Sequence, residues 1–366
     1  MSAPDPAIVV GLLEHAIVPD LHPLPSQIVA FIDAGIPEEF TPVIETFLAA
    51  IPAGDRPVIA RRVAGGENQK TLEAWGRRLA DCRECGLDRD ALLVAVGGGA
   101  LGDSIGFTAS AWHRGLRWIA VPTTLVAMVD AHLGGKTALN LGDHKNQVGS
   151  FWWPEAVIAD PRFLETLPPR ELRSGWGELI KSAWIGDPAL VDLWDEEPPL
   201  DAAALLRVPN AEEIARGVAV KRAIVKEDSR ESDRRRVLNF GHTLGHALET
   251  LPGLDLAHGE AVAIGMVFAA EVACDLGLAP RALVDRIRAL LARLGFETEW
   301  PTDRTDELLE RIAADKKNRA GQIWMALPSR AGDVSMTPIA TEHLTQCLER
   351  GAETAAPEVR RGKGTR

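Results

Sequence analysis

The chain has 366 residues, 46% of them hydrophobic and 25% charged, with a formal net charge of −12. That length is more than one core usually serves, so two domains are expected, in a composition ordinary for a water-soluble globular protein. The negative balance argues against a general nucleic-acid binder, and no apolar run reaches the ~18 uncharged residues a membrane-spanning helix needs.

Residues 1–25 are Pro-rich and read as an irregular N-terminal extension, without the basic-then-apolar pattern of a secretory leader. Strands are predicted at Gln27–Asp33 and Pro57–Val63, and helical periodicity runs from Thr71 to Cys85. Cys82 and Cys85 form a C-x-x-C at the end of that polar helix. No second pair exists among the four cysteines, so the thiols are read as incidental and the setting as reduced and cytoplasmic. Ala91–Val96 is a continuous apolar run ending in three glycines, the mark of a central parallel strand, and Trp118–Val121 and Ala156–Ala159 repeat it. Residues 26–168 are therefore expected to form an α/β domain with a parallel, Rossmann-like sheet. From Pro169 the apolar residues take helical spacing, at Ala211–Lys226, Glu260–Gly277, Arg281–Leu294 and Asp306–Ala314, with one short strand pair fitting around Ile323–Leu327. Residues 169–350 are expected to be an all-α domain, and 351–366 a disordered, solvated tail.

Four segments carry chemistry. Gly97-Gly-Gly-Ala-Leu-Gly102-Asp103 follows a strand, opens a helix and satisfies G-x-G-x-x-G, a turn that lets a pyrophosphate reach backbone N–H groups. The acidic residue expected about twenty positions on is missing, so this is not the standard fingerprint. A dinucleotide is still the best-fitting ligand, with Thr123 and Thr124 able to supply hydroxyls. Gly134-Gly-Lys136-Thr137 resembles part of a Walker A loop but lacks its upstream glycine, which disfavours a nucleotide triphosphatase. Lys136, Lys145, Lys181, Lys221, Arg114 and Arg235 sit in or near Gly-rich or His-rich segments, and several of them converging would hold a phosphate or carboxylate. Glu178 and Lys181 share a helix face, either as metal ligand and substrate cation or as a surface ion pair. His242 and His246 are one helical turn apart, and His258 follows a short loop later. Three imidazoles, or two with a carboxylate, suit a catalytic zinc with an open position. Tyr is absent, so none serves as a proton donor.

In order along the chain, Gly66-Glu-Asn-Gln-Lys70-Thr, the Gly97–Asp103 turn, Val121-Pro-Thr-Thr124, Val129-Asp130, Gly134–Thr137, Lys145-Asn146, Glu178-Leu-Ile-Lys181, Asn239-Phe-Gly-His-Thr-Leu-Gly-His246 and His258-Gly-Glu260 resemble the 3-dehydroquinate synthase family of the sugar-phosphate cyclase superfamily. The resemblance runs from about Gly66 to about Gly321. It implies an NAD-binding α/β domain followed by an all-α metal- and substrate-binding domain. The implied enzyme is a homodimeric carbon–oxygen lyase of the shikimate route to aromatic amino acids. Its substrate would be a small sugar acid phosphate, 3-deoxy-arabino-heptulosonate 7-phosphate. Transient oxidation by NAD, phosphate elimination, re-reduction and an aldol closure would give 3-dehydroquinate. The resemblance puts zinc or cobalt on Glu178, His242 and His258, and moves His246 to the substrate. It implies catalytic roles for Lys136, Asn146, Lys181, Lys221, Arg235, Asn239 and His246. Arg114, Asp130 and one of Lys316 and Lys317, taken as Lys317, would bind substrate. Glu67, Lys70, Gly98, Gly99, Asp103, Thr123, Thr124, Lys145, Thr166 and Leu167 would bind NAD. Two places depart from the family. Ala131 and His132 follow Asp130 where Ser is common, and Asp33-Ala-Gly35 replaces an Asp-x-Asn that meets the adenosine. Arg235 and Asn239 favour a carboxylate-bearing substrate. An amino-analogue synthase, or another cyclase of secondary metabolism, is the nearest alternative, and a metal-dependent alcohol or glycerol dehydrogenase the second.

Overall fold

Short apolar runs bounded by Gly, Asp and Pro become strands in the computed structural model, which describes residues 5–18, 21–53, 58–142, 144–196, 207–314 and 322–351. The first half runs β1 (Ala7–Val10), β2 (Ile28–Asp33), α1 (Thr41–Ala50), β3 (Ile59–Val63), α2 (Leu72–Glu84), β4 (Leu92–Gly97), α3 (Gly99–Ala111), β5 (Arg117–Pro122), α4 (Leu125–Val129), β6 (Lys136–Leu141), β7 (His144–Phe151) and β8 (Ala156–Ala159). Among the described residues one sheet takes the order β1-β8-β5-β4-β2-β3, with every pairing parallel. β4 and β8 are buried at every position, as strands covered on both faces must be.

The segment expected to be irregular instead supplies β1, which pairs Ala7 with Ala156 and Val10 with Ala159 at the sheet edge. Four residues between Pro6 and Gly11 give no local periodicity, and the partner strand lies far along the chain. From β2 the chain steps to β3 at one edge, whereas β4, β5 and β8 step toward the other. The reversal opens a crevice beyond the carboxyl ends of β2 and β4, where Asp33 and Gly97 stand. β6 and β7 form a separate antiparallel hairpin, with Thr137 opposite Ser150. Lys136 therefore opens a strand and is not part of a phosphate loop.

The second half runs α5 (Pro169–Gly186), α6 (Pro188–Glu196), α7 (Ala211–Glu227), α8 (His242–Glu249), α9 (His258–Asp275), α10 (Arg281–Arg293), α11 (Thr305–Ala314), β9 (Ile323–Arg330), β10 (Asp333–Ile339) and α12 (Thr341–Arg350). Among its described residues it is helical except for the antiparallel β9–β10 hairpin, which is longer than the pair expected around Ile323–Leu327. α7 starts where its sequence says it should, at a capping box in which Asn210 and Glu213 satisfy each other's backbone N–H. α9, rich in Ala, Val and Gly, is buried from Ala261 to Ala273 and packs against α5, α8 and α10. Among the described residues no helix is long and apolar enough to cross a membrane.

Candidate active site

Close backbone contact brings three helices to one point. A Cβ on Gly259, in the first turn of α9, would stand 2.1 Å from the Ser174 carbonyl of α5; one on Gly177 would stand 2.4 Å from the Gly259 carbonyl. Only glycines allow that approach, and it lays Glu178 of α5 beside His258 of α9. Gly241 turns the chain with φ 79° directly before His242 opens α8. Glu178 Oε1 then lies 2.9 Å from His258 Nε2 and 3.4 Å from His242 Nε2. One ligand atom from each of these residues falls within 4.8 Å of the others, a donor set suited to a divalent ion. The His242 Nδ1 faces the Phe240 carbonyl at 3.2 Å, which leaves Nε2 for an ion. His246, the other ligand that spacing allowed, has its ring 5.1 Å from His242 and 6.3 Å from His258, outside the group.

Charges alternate away from this point. Glu178 Oε2 is 2.5 Å from Lys181 Nζ, Lys181 is 3.5 Å from Asp130 Oδ1, and Lys221 donates to the same oxygen at 2.6 Å. Burial would raise the Glu178 and Asp130 carboxyls, but neighbouring cations overcome it and hold both below the usual range. Burial pushes Lys221 down to about 8. Lys181 goes the other way, because Glu178 and Asp130 outweigh its burial.

Asp130, Lys181, Lys221 and His242 line a cavity of about 590 Å³ whose walls also include Asp103, Lys136, Asn146, Arg235 and Asn239. Arg235 is buried, with its guanidinium donating to the carbonyls of Gly134 at 3.0 Å and Ser229 at 2.8 Å. Lys136 pairs with Glu231, which also accepts from Asn239 Nδ2 at 3.1 Å. The loop bearing Glu231 and Arg235 is tied down by Asp228. Its carboxylate accepts from the backbone N–H of Ser232 at 3.0 Å, Asp233 at 2.7 Å and Arg235 at 3.1 Å. These bonds hold Asp228 well below the carboxylate range against the effect of burial.

Beyond the cavity lies the Gly-rich turn. Gly98 and Gly99 open α3, and Thr123 and Thr124 follow the neighbouring β5, where the Thr124 hydroxyl caps α4 by accepting from Ala127 N at 3.3 Å. Asp103, in the second turn of α3, is lifted to about 6 by burial even though Lys70 contacts it. Lys70 also donates to Asn146 Oδ1 at 2.5 Å, and Glu67 accepts from Asn140 at 2.7 Å. Thr166 and Leu167 follow β8 at its carboxyl end, while Lys145 is exposed on β7, 3.9 Å from Glu249. His132, one of the departures, is buried edge-on to Trp118 at 6.4 Å.

One expected substrate-binding residue is not brought to the cavity. Arg114 follows α3 at the amino end of β5, the opposite end of the sheet, and is exposed there. Lys317 lies outside the described residues, as does the tail beyond Gly351. Sequence reasoning also missed Asp228, Glu231 and Glu249. The spacing of Glu249, two helical turns after His242, was the one signal available for any of them.

Models of the 3-dehydroquinate synthase N-terminal and C-terminal families match residues 60–174 and 175–318. A 3-dehydroquinate synthase of Xylella fastidiosa is 44% identical over 303 residues, covering 80% of each chain. The fold superimposes on a 2-epi-5-epi-valiolone synthase of Streptomyces hygroscopicus, solved with NAD and zinc. Its TM-score is 0.82 at 28% identity, over 95% of this chain and 97% of that one. A 2-deoxy-scyllo-inosose synthase complexed with carbaglucose-6-phosphate, NAD and cobalt gives a TM-score of 0.78 at 27% identity, over 94% and 96%.

Proposed function

The chain belongs to the 3-dehydroquinate synthase family, and from that premise we propose that it is a 3-dehydroquinate synthase, converting 3-deoxy-arabino-heptulosonate 7-phosphate to 3-dehydroquinate and inorganic phosphate. The observation that carries the reading is one cavity where His242 of the carboxylate–imidazole donor set, and Lys181 paired to its Glu178, meet Lys136, Lys221 and Arg235 in a chain of net charge −12. An acidic sugar phosphate needs such a local cluster against the overall field.

Glu178, His242 and His258 fit a zinc or cobalt ion, which when bound supplies Lewis-acid polarisation of the substrate oxygens. The turn at Gly98 and Gly99, with Asp103, Thr123 and Thr124, fits NAD, which when bound supplies reversible hydride removal from one ring carbon. Glu67, Lys70, Lys145, Thr166 and Leu167 are assigned to the same cofactor. The chain's own share is binding and proton handling. Lys136, Asn146, Arg235 and Asn239 hold the phosphate and carboxylate, and Lys181, Lys221 and Asp130 form the charged relay beside the reacting hydroxyl. His246, beside His242, faces the substrate. Lys317 is assigned to substrate as well. The enzyme is a carbon–oxygen lyase dependent on NAD and a divalent metal, and acts as a cytoplasmic homodimer.

The test is turnover of 3-deoxy-arabino-heptulosonate 7-phosphate at catalytic NAD. One phosphate should appear per product, many products per NAD, and no lasting absorbance at 340 nm. NADH accumulating in step with product, without phosphate, would replace this reading by an alcohol dehydrogenase.

A further inference from the structure

The two imidazoles of the candidate metal group are held differently from behind. His242 Nδ1 faces a backbone carbonyl, that of Phe240. His258 Nδ1 instead faces a side chain, Glu249 Oε2 at 3.1 Å, while its Nε2 points to Glu178 Oε1 at 2.9 Å. Glu249 is the last residue of α8, two turns after His242, and its side chain is 17% exposed. Its other oxygen is 3.9 Å from the more exposed Lys145.

We propose that Glu249 is a positioning residue for the metal centre, fixing the tautomer and ring plane of His258 so that Nε2 is presented to the ion. The inference rests on Glu178, His242 and His258 holding a divalent metal. An imidazole that offers Nε2 to a cation carries its proton on Nδ1, and a carboxylate there both selects that tautomer and makes the ligand more basic. A helix end reached by α8 alone thus sets the ligand that α9 contributes, so the two helices share one ion through three side chains.

The experiment measures cobalt(II) affinity by chelator competition, with the visible spectrum of the bound ion, in wild type and Glu249→Gln. Weaker cobalt binding by about 10- to 100-fold with altered visible bands, and an unchanged melting temperature of the metal-free protein, supports the role. Wild-type affinity and spectrum in Glu249→Gln overturn it. Should Glu249→Gln fail to fold, Glu249→Asp carries the same test, since it keeps the charge but shortens the reach: weakened binding supports the role and wild-type binding overturns it. A wild-type protein that takes up neither cobalt nor zinc overturns the metal assignment and this inference together, whereas normal wild-type uptake with an indifferent Glu249→Gln overturns this inference alone.

Discussion

Burial disfavours the Lys221 ammonium, Asp130 supports it and the Lys181 charge opposes it, leaving a group that titrates at about 8 rather than 10.5. The charged form is present below that pH and is lost as pH rises through it. If Lys221 must be charged to hold an acidic substrate, kcat/KM should fall above about pH 8. Lys221→Arg, charged throughout, should lose that alkaline limb; an unchanged limb would assign it to another group. His242→Ala should purify with little metal and negligible turnover while keeping its far-ultraviolet circular dichroism; a full complement of metal would exclude His242 as a ligand. At this scale the residues that come together as the donor set, and the turn that opens α3, were legible, because His–x3–His, Glu–x2–Lys and the Gly-rich turn are short patterns with a mechanism. Their supports were not. Asp228, Glu231 and Glu249 act through contacts between loops and helices that no spacing rule encodes.

Elements set the distances between those residues. Gly259→Ala would drive a methyl to 2.1 Å from the Ser174 carbonyl, so α9 must shift off α5 and carry His258 away from Glu178. A loss of about 1–3 kcal/mol and weaker metal binding should appear together in thermal melts and chelator titrations; a metal affinity equal to wild type would uncouple packing from the site. Asp228→Ala removes three backbone acceptor bonds from the loop carrying Glu231 and Arg235. It should raise KM for the acidic substrate by about tenfold, equivalent to one charged hydrogen bond, with NAD affinity unaltered. Equal loss of both would mean general unfolding. The strands of the central sheet and the helices α7, α9, α10 and α11 were readable from apolar periodicity within a few residues. β1 and the β6–β7 hairpin were not, since the first is too short among prolines and the second shows an irregular mix of Gly, Lys and Asn. The helical second half was legible, and so was the strand pair near Ile323–Leu327, but not its full length, because that hairpin rests on the cover of α5 and α9.

For the molecule as a whole, the proposed ion is a clamp, since its ligands come from α5, α8 and α9. Zinc at about 100 times its dissociation constant should add about 2.7 kcal/mol of stability, seen as a rise in melting temperature that a chelator reverses. A melting temperature indifferent to zinc would place the ion elsewhere. The sheet edge adds a longer-range tie. β1 is fastened to β8 by its ladder, Leu13 N donates to Asp160 from 147 residues away, and Asp5 pairs with Arg222 of α7 at 2.8 Å. Ala7 is made 149 residues before its ladder partner Ala156, which at ordinary elongation rates is about 7–30 s earlier. During that interval an apolar strand has its ladder groups bonded only to water, open to capture by a chaperone or by a neighbouring nascent chain.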